Sequence, residues 1–211
     1  MFQDGLEEIL TLAPVVPVVI VEDAHDAVPL ARALVAGGLC AIEVTLRTSA
    51  GLEAIRRIAA EVAGAVAGVG TVLTPAQAEA AAKAGAKFAV SPGATPKLLD
   101  ALEQSGMAPL PGIATASEAM RLIERGYTHA KFFPAEQSGG APFLKAIASP
   151  LPQLKFCPTG GINPQNAQSY LTLPNVLCVG GSWMLKPELI ATKNWPAIEN
   201  LARQAAGLKT P

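Results

Sequence analysis

Apolar runs of strand length alternate along this chain with amphipathic stretches of helix length, most of them closed by glycine. The runs fall at 17–21, 41–46, 67–72, 88–91, 108–113, 130–133, 155–158 and 176–180. Their almost unbroken apolar character predicts parallel strands covered on both faces. The stretches between them carry helix signals. Asp23 opens one stretch, which closes on Gly37 and Gly38. Thr74-Pro75 and Thr95-Pro96 each place threonine at the N-cap and proline at the first helical position, ahead of stops at Gly85 and Gly106. Thr115 and Glu118 have the spacing of a capping box, and Asn163-Pro164 begins another helix. Strands alternating with helices in this way predict an α/β chain folded as a (β/α)8 TIM barrel. A short extra helix is expected over 2–12, and a closing helix over 187–207 with a break at Pro196. Pro17 is expected to be the first residue of its strand, since it has no N–H for the ladder. An open doubly wound sheet is the competing arrangement. It asks for a G-x-G-x-x-G turn after an early strand, and here the first run leads into Glu22-Asp-Ala-His25.

Composition narrows the class. A chain of 211 residues, 50% hydrophobic and 16% charged, suits a single barrel domain over 1–211. The net charge is −1 with no basic tract, which argues against nucleic acid as a partner. No apolar run reaches the roughly 18 residues of a membrane helix, so no membrane partner is expected. The first eight residues lack the basic and apolar regions of a signal peptide. Cys40, Cys157 and Cys178 are odd in number and embedded in apolar runs, and read as small core residues. His25, expected on a solvated helix face, and His129, expected at a strand entrance, have no companions at ligand spacing. A cytoplasmic protein without a metal is the expectation.

One residue does not fit a buried strand. Lys131 stands in the run His129-Ala-Lys-Phe-Phe-Pro-Ala135. An unpaired ammonium is costly to take out of water. Such a lysine either points out of the apolar layer or serves as an amine, and a neutral amine attacks carbonyl carbon to form a Schiff base. The strand alone does not choose between the two. Phe133 shares the face of Lys131 and gives it an aromatic wall.

In such barrels reacting groups sit at the C-terminal ends of strands. The second run reads Ile42-Glu-Val-Thr-Leu-Arg-Thr48, with Glu43, Thr45 and Arg47 on one face and Val44 and Leu46 on the other. One reading is an internal Glu–Arg ion pair that stiffens the barrel. The other gives Glu43 proton transfer and Arg47 a carboxylate, which its planar fork matches. The third run ends Gly68-Val-Gly-Thr71, where bare glycines permit close approach and Thr71 offers a hydroxyl. The seventh continues into Thr159-Gly160-Gly161 and the eighth into Gly180-Gly181-Ser182. These pairs read either as tight turns or as a phosphate site made of backbone N–H groups, a position that barrels favour.

Assembled, these residues make the chain resemble the KDPG/KHG class I aldolases, the family of 2-keto-3-deoxy-6-phosphogluconate aldolase. The resemblance spans nearly the whole chain and is carried by Glu43-Val-Thr-Leu-Arg-Thr48, Gly70-Thr-Val72, Ser91-Pro-Gly93, Pro111-Gly-Ile113, Lys131-Phe-Phe-Pro-Ala-Glu136, Phe156-Cys-Pro-Thr-Gly-Gly-Ile162 and Gly180-Gly-Ser-Trp183. It implies that Lys131 forms a Schiff base with the C2 carbonyl and that Glu43 is the general acid/base. It implies further that Arg47 and Thr71 hold the pyruvate carboxylate, that Phe133 packs on the pyruvyl part, and that Thr159 influences stereochemistry. Gly160, Gly161, Gly181 and Ser182 would bind phosphate. Val69 is larger than the residue common at its position, which would narrow the mouth beside Thr71. The implied reaction is cleavage of a phosphorylated keto sugar acid to pyruvate and glyceraldehyde 3-phosphate, without cofactor or metal. A homotrimer and a place in the Entner–Doudoroff route come with the resemblance. Alternatives are cleavage of 4-hydroxy-2-oxoglutarate or of the galactonate epimer, isomerisation of a sugar phosphate, and a non-covalent phosphosugar-binding barrel.

Overall fold

The protein, seen in a computed structural model, is described over residues 2–208; Met1 and residues 209–211, the two ends of the expected 1–211 domain, lie outside the described residues. Among the described residues nine strands run in chain order: β1 (Val15–Val19), β2 (Ala41–Thr45), β3 (Val66–Gly70), β4 (Phe88–Val90), β5 (Ala108–Leu110), β6 (Gly112–Ile113), β7 (His129–Phe132), β8 (Lys155–Pro158) and β9 (Val179–Gly181). The helices are α1 (Leu6–Leu10), α2 (Ala27–Ala36), α3 (Gly51–Glu61), α4 (Pro75–Lys83), α5 (Pro96–Gln104), α6 (Ala116–Glu124), α7 (Gly140–Ile147), α8 (Ala167–Leu171), α9 (Pro187–Ala191) and α10 (Trp195–Ala206).

All recorded strand pairs are parallel. They form two ladders, β5-β4-β3-β2-β1-β9 and β6-β7-β8. The single run expected over 108–113 is divided between the two ladders at Pro111. Proline cannot donate to a ladder, but the Pro111 carbonyl still accepts from the Lys131 N–H at 2.9 Å. On the far side, isolated bridges join Phe156 to Val176 and Thr159 to Gly180. The outcome is an α/β fold around a curled parallel sheet.

Side chains alternate between the two faces of this sheet, as pleated strands require. One apolar cluster gathers Val16, Phe88, Val90, Leu110, Cys157 and Cys178 on the inner face, together with Leu6 and Leu10 of α1. A larger cluster joins the outer positions, such as Ile42, Val44, Val69 and Phe132, to the helices. Val69 is therefore buried under helices and does not reach the mouth beside Thr71, contrary to the expectation for it. The inner layer needs glycine at one point: a Cβ at Gly68 would lie 2.2 Å from the Phe88 ring. Leu6 and Leu10 are 0% and 1% exposed, each contributing roughly 1.5–3 kcal/mol by burial. They plug the inner face from the N-terminal side. Gln3 fastens this plug, donating to the carbonyls of Pro109 and His129 and accepting from the N–H groups of Thr128 and His129.

The threonine signals act locally as read. Thr74 with Gln77, and Thr115 with Glu118, form complete capping boxes, and Thr95 caps α5. Three expectations are corrected. Pro17 lies inside β1, where pairing with β9 ends at Pro17↔Gly181 and pairing with β2 begins at Val18↔Glu43. Its missing N–H thus falls at the change of partner. The eighth strand is β9, three residues later than its expected start at Val176, which makes only an isolated bridge. The closing helix is two helices, α9 and α10, separated at residues 192–194, where Lys193 has φ 52. Pro196 is the second residue of α10 and does not break it, because the first turn of a helix needs no proline N–H.

Candidate active site

β2 and β7 face each other across the inside of the curled sheet, and each delivers one charged side chain to it. Lys131 Nζ lies 3.4 Å from Glu43 Oε1, with both side chains 4% exposed. The alternation that puts Phe132 under the helices puts Lys131 and Phe133 on the inner face, and the ammonium nitrogen sits 5.0 Å from the Phe133 ring centroid. The strand lysine thus points inward to a carboxylate. Of the two sequence readings, the side chain directed out of the apolar layer is the one excluded.

The rest of the second run divides. Thr45 is fully buried and its hydroxyl donates to the Val19 carbonyl at 3.1 Å, so it serves the fold. Arg47 lies beyond the end of β2, exposed, with Nε donating to Thr71 Oγ1 at 3.3 Å. Arg47 pairs with this hydroxyl and not with Glu43, which removes the stiffening Glu–Arg pair as an account of the motif. Thr71 has φ 60, a left-handed conformation that a β-branched residue rarely adopts.

Beyond β8, Thr159 is buried, and its Oγ1 has no hydrogen-bond partner within the structure. Its backbone is held by the Phe132 carbonyl on one side and the Ala135 N–H on the other. Gly160 and Gly161 follow with φ 106 and 76, which only glycine adopts without strain. Gly181 is bare because a Cβ there would lie 2.0 Å from the Trp183 indole. Ser182 is exposed at the same end, beside a cavity of about 680 Å³ that runs between the end of β1 and α9.

Several contributors carried another role in the sequence reading, or none. Gly70 makes room for Glu43, and Gly180 makes room for Thr159. Glu136 accepts from the Tyr170 hydroxyl next to Gly161, and burial first, then this carboxylate, push that phenol above its ordinary range. Ser91 is fully buried with an unpartnered hydroxyl at the end of β4. Gly70, Gly180, Glu136 and Ser91 all stand in quoted motifs, but their surroundings come from elements distant in the chain, where spacing gives no signal.

The remaining candidates lie elsewhere. His25 is exposed near Arg57. His129 is buried at the entrance of β7, with Nε2 3.1 Å from Glu7. Its pKa is lowered, chiefly by burial, against the opposing pull of Glu7. The three cysteines are free, and the Cys178 thiol is pushed well up by its contact with Cys157 and by burial. Among the described residues no three His, Cys, Asp or Glu side chains gather as a metal set. Among them, too, no helix is long and apolar enough to cross a membrane.

The geometry has close counterparts. A model of the KDPG and KHG aldolase family matches residues 6–201. A 2-dehydro-3-deoxy-phosphogluconate aldolase of Pseudoalteromonas atlantica is 51% identical, over 94% of this chain and 93% of its own. A KDPG aldolase of Legionella pneumophila, solved with pyruvate captured as a covalent carbinolamine, superposes with a TM-score of 0.92 at 46% identity, covering 95% of this chain and 98% of the other. The 2-keto-3-deoxy-6-phosphogluconate aldolase of Zymomonas mobilis, solved with 3-phosphoglycerate, gives 0.92 and 46% over 100% and 98%. On this agreement of family model, sequence and fold, the chain belongs to the KDPG and KHG aldolase family.

Proposed function

We propose that the chain is a class I aldolase that cleaves 2-keto-3-deoxy-6-phosphogluconate to pyruvate and glyceraldehyde 3-phosphate. The observation that carries this is the buried Lys131–Glu43 pair, 3.4 Å apart, over the Phe133 ring. An amine with a proton carrier in reach is what imine formation at a ketone needs.

Lys131 attacks C2, and loss of water gives an iminium, a much stronger electron sink than the ketone. Glu43 takes the proton from the C4 hydroxyl, the C3–C4 bond breaks, and its electron pair passes to the enamine. The aldehyde leaves, C3 is reprotonated, and water releases pyruvate from Lys131. The iminium supplies the electron sink, so the chemistry asks for no metal. Arg47 and Thr71 hold the carboxylate, Phe133 packs on the pyruvyl group, and Thr159 faces the reacting carbon. Gly160, Gly161, Gly181 and Ser182 take the phosphate, whose binding energy positions the distant scissile bond. The carbinolamine in the Legionella relative supports the covalent lysine, and 3-phosphoglycerate in the Zymomonas relative supports the phosphate end. Cleavage of 4-hydroxy-2-oxoglutarate is a second reading, favoured by the family's own description, and uses the same Lys131 chemistry.

The reading extends to architecture and setting. The bridges from Phe156 and Thr159 and the carbonyl of Pro111 support one closed (β/α)8 barrel over the whole chain. A homotrimer is part of the same reading through the family resemblance, and light scattering measures it. Three unpaired cysteines suit a reducing cytoplasm.

The test is reductive trapping. Pyruvate with borohydride is expected to leave a reduced adduct that peptide mapping places on Lys131. Lys131→Ala is expected to lose both adduct and turnover. Normal turnover by that variant overturns the proposal.

A further inference from the structure

We infer that Tyr170 is a positioning residue for the phosphate end of the substrate: its hydroxyl holds the Glu136 carboxylate back against α7, so that a negative charge beside the Gly160–Gly161 turn does not meet the phosphate. The inference rests on the reading of that turn as part of the phosphate site and extends it to two residues outside the site.

An acidic side chain beside an anion site calls for an explanation, because a carboxylate next to a phosphate repels it. Glu136 lies directly on the turn. A Cβ at Gly161 would stand 2.6 Å from the Glu136 Cγ and 2.9 Å from its Cβ. Both residues are exposed, so open solvent is available to the carboxylate. Its Oε1 is instead bound by the hydroxyl of Tyr170, which stands in α8 and is itself fully buried. The start of α7 closes on the pair: a Cβ at Gly140 would lie 3.4 Å from the Tyr170 hydroxyl and 3.6 Å from Glu136 Oε1. The positive end of that helix favours a carboxylate in this place. Burial first, then the facing carboxylate, raise the Tyr170 pKa, so the phenol keeps its proton and stays a donor.

The backbone around the turn is tied down as well. The Gly160 carbonyl accepts from the Glu136 N–H at 3.1 Å, and the Gly161 carbonyl accepts from Asn166 Nδ2 at 3.1 Å. The backbone of Glu136 therefore stays beside the turn, and only its side chain decides where the charge lies. Held by Tyr170, the charge is spent on a hydrogen bond and a helix end. Released, it would stand at the edge of the turn that is proposed to take a phosphate dianion. The pair thereby sets how strongly the site prefers a phosphorylated keto acid over the same acid without its phosphate.

The experiment measures kcat and KM for 2-keto-3-deoxy-6-phosphogluconate and for the same keto acid without its phosphate. The proteins are the wild type, Tyr170→Phe, Glu136→Asp, Glu136→Gln and the double variant Tyr170→Phe/Glu136→Gln, with thermal melting and pyruvate–borohydride trapping on each. Tyr170→Phe frees the carboxylate. It is expected to melt cooperatively, to trap pyruvate at the wild-type rate, and to leave kcat and the KM of the unphosphorylated acid unchanged. Its KM for the phosphorylated substrate is expected to rise about tenfold, the order expected of like charges a few Å apart in a wet site. Glu136→Asp keeps the charge but falls short of Tyr170, and is expected to do the same. Glu136→Gln keeps the reach without the charge, and is expected to hold the wild-type KM. The double variant is expected to recover the KM lost in Tyr170→Phe. A folded Tyr170→Phe with the wild-type KM for the phosphorylated substrate, or with an equal rise for both substrates, overturns the inference. So does a double variant no better than Tyr170→Phe. If Tyr170→Phe does not fold, Glu136→Asp decides, and its unchanged KM overturns the inference equally. Equal wild-type KM values for the two acids instead overturn the phosphate-site reading on which the inference stands.

Discussion

The Glu43 carboxyl group lies against Gly70: a Cβ on that glycine would stand 2.3 Å from Oε1, 2.6 Å from Cγ and 2.8 Å from Cδ. Oε1 is the same atom that faces Lys131. The space left by one missing methyl group in β3 therefore lets the β2 carboxylate reach the β7 amine. Glu43→Gln keeps the shape and removes the proton acceptor. It is expected still to trap pyruvate while cleavage slows by about 10²–10⁴-fold, the usual worth of general acid–base catalysis. Gly70→Ala is expected to slow cleavage in the same direction by displacing the carboxylate. Unchanged kcat in Glu43→Gln removes Glu43 from the mechanism.

Ser182 is exposed at the end of β9, next to Gly181. Its hydroxyl is proposed to bond the phosphate and nothing nearer the reacting carbons. Ser182→Ala is expected to raise KM for the phosphorylated substrate by about fivefold, as loss of one hydrogen bond does. KM for unphosphorylated 4-hydroxy-2-oxoglutarate is expected to stay as it was. An equal rise for both substrates, measured side by side, argues against the phosphate assignment.

Much of this arrangement is legible in the chain because period-two patterning and capping chemistry are local. Alternation groups Glu43 with Thr45 on one face of its strand and Lys131 with Phe133 on one face of theirs, and Thr74, Thr95 and Thr115 announce their helices. Contacts between strands are not local. Nothing in the order of residues says that Gly70 lies beneath Glu43, that Gly180 lies beneath Thr159, or that Arg47 turns to Thr71. Several of the misplaced ends involve proline. Pro17 and Pro196 read in the sequence as beginning or breaking an element, and Pro111 as lying within one run, but a missing N–H matters only where a partner would have used it. Pro17 sits at a change of partner and Pro196 in a first helical turn.

Gln3 is nearly buried, and its amide serves four backbone groups. It donates at 2.8 Å and 2.9 Å to the carbonyls of Pro109 and His129, and accepts at 2.8 Å and 3.2 Å from the N–H groups of Thr128 and His129. Gln3→Ala leaves these groups without that amide at the foot of β5 and β7. A loss of about 2–4 kcal/mol in urea unfolding is expected, since unmade buried hydrogen bonds cost about 1–3 kcal/mol each and water recovers some of them. Gln3→Glu is expected to be no better, because a carboxylate oxygen would then face two carbonyls. A loss below the error of the measurement in both variants shows that the N-terminal plug is held by Leu6 and Leu10 alone.

His129 gives the same region a pH dependence. Burial lowers its pKa below the ordinary value of 6.5, with Lys155 adding to the effect, while the facing carboxylate of Glu7 works against it. Above about pH 6.5 the ring is neutral in both the folded and the unfolded chain, and its contribution to stability is fully present. As pH falls below that value the unfolded chain binds the proton first, so stability is lost on the way down through the folded pKa. The unfolding free energy, followed by urea titration from pH 8 to pH 5, is expected to decline below about pH 6.5. His129→Gln, which cannot titrate, is expected to flatten that decline relative to the wild type. Identical pH profiles for the two proteins assign the acid sensitivity to other groups.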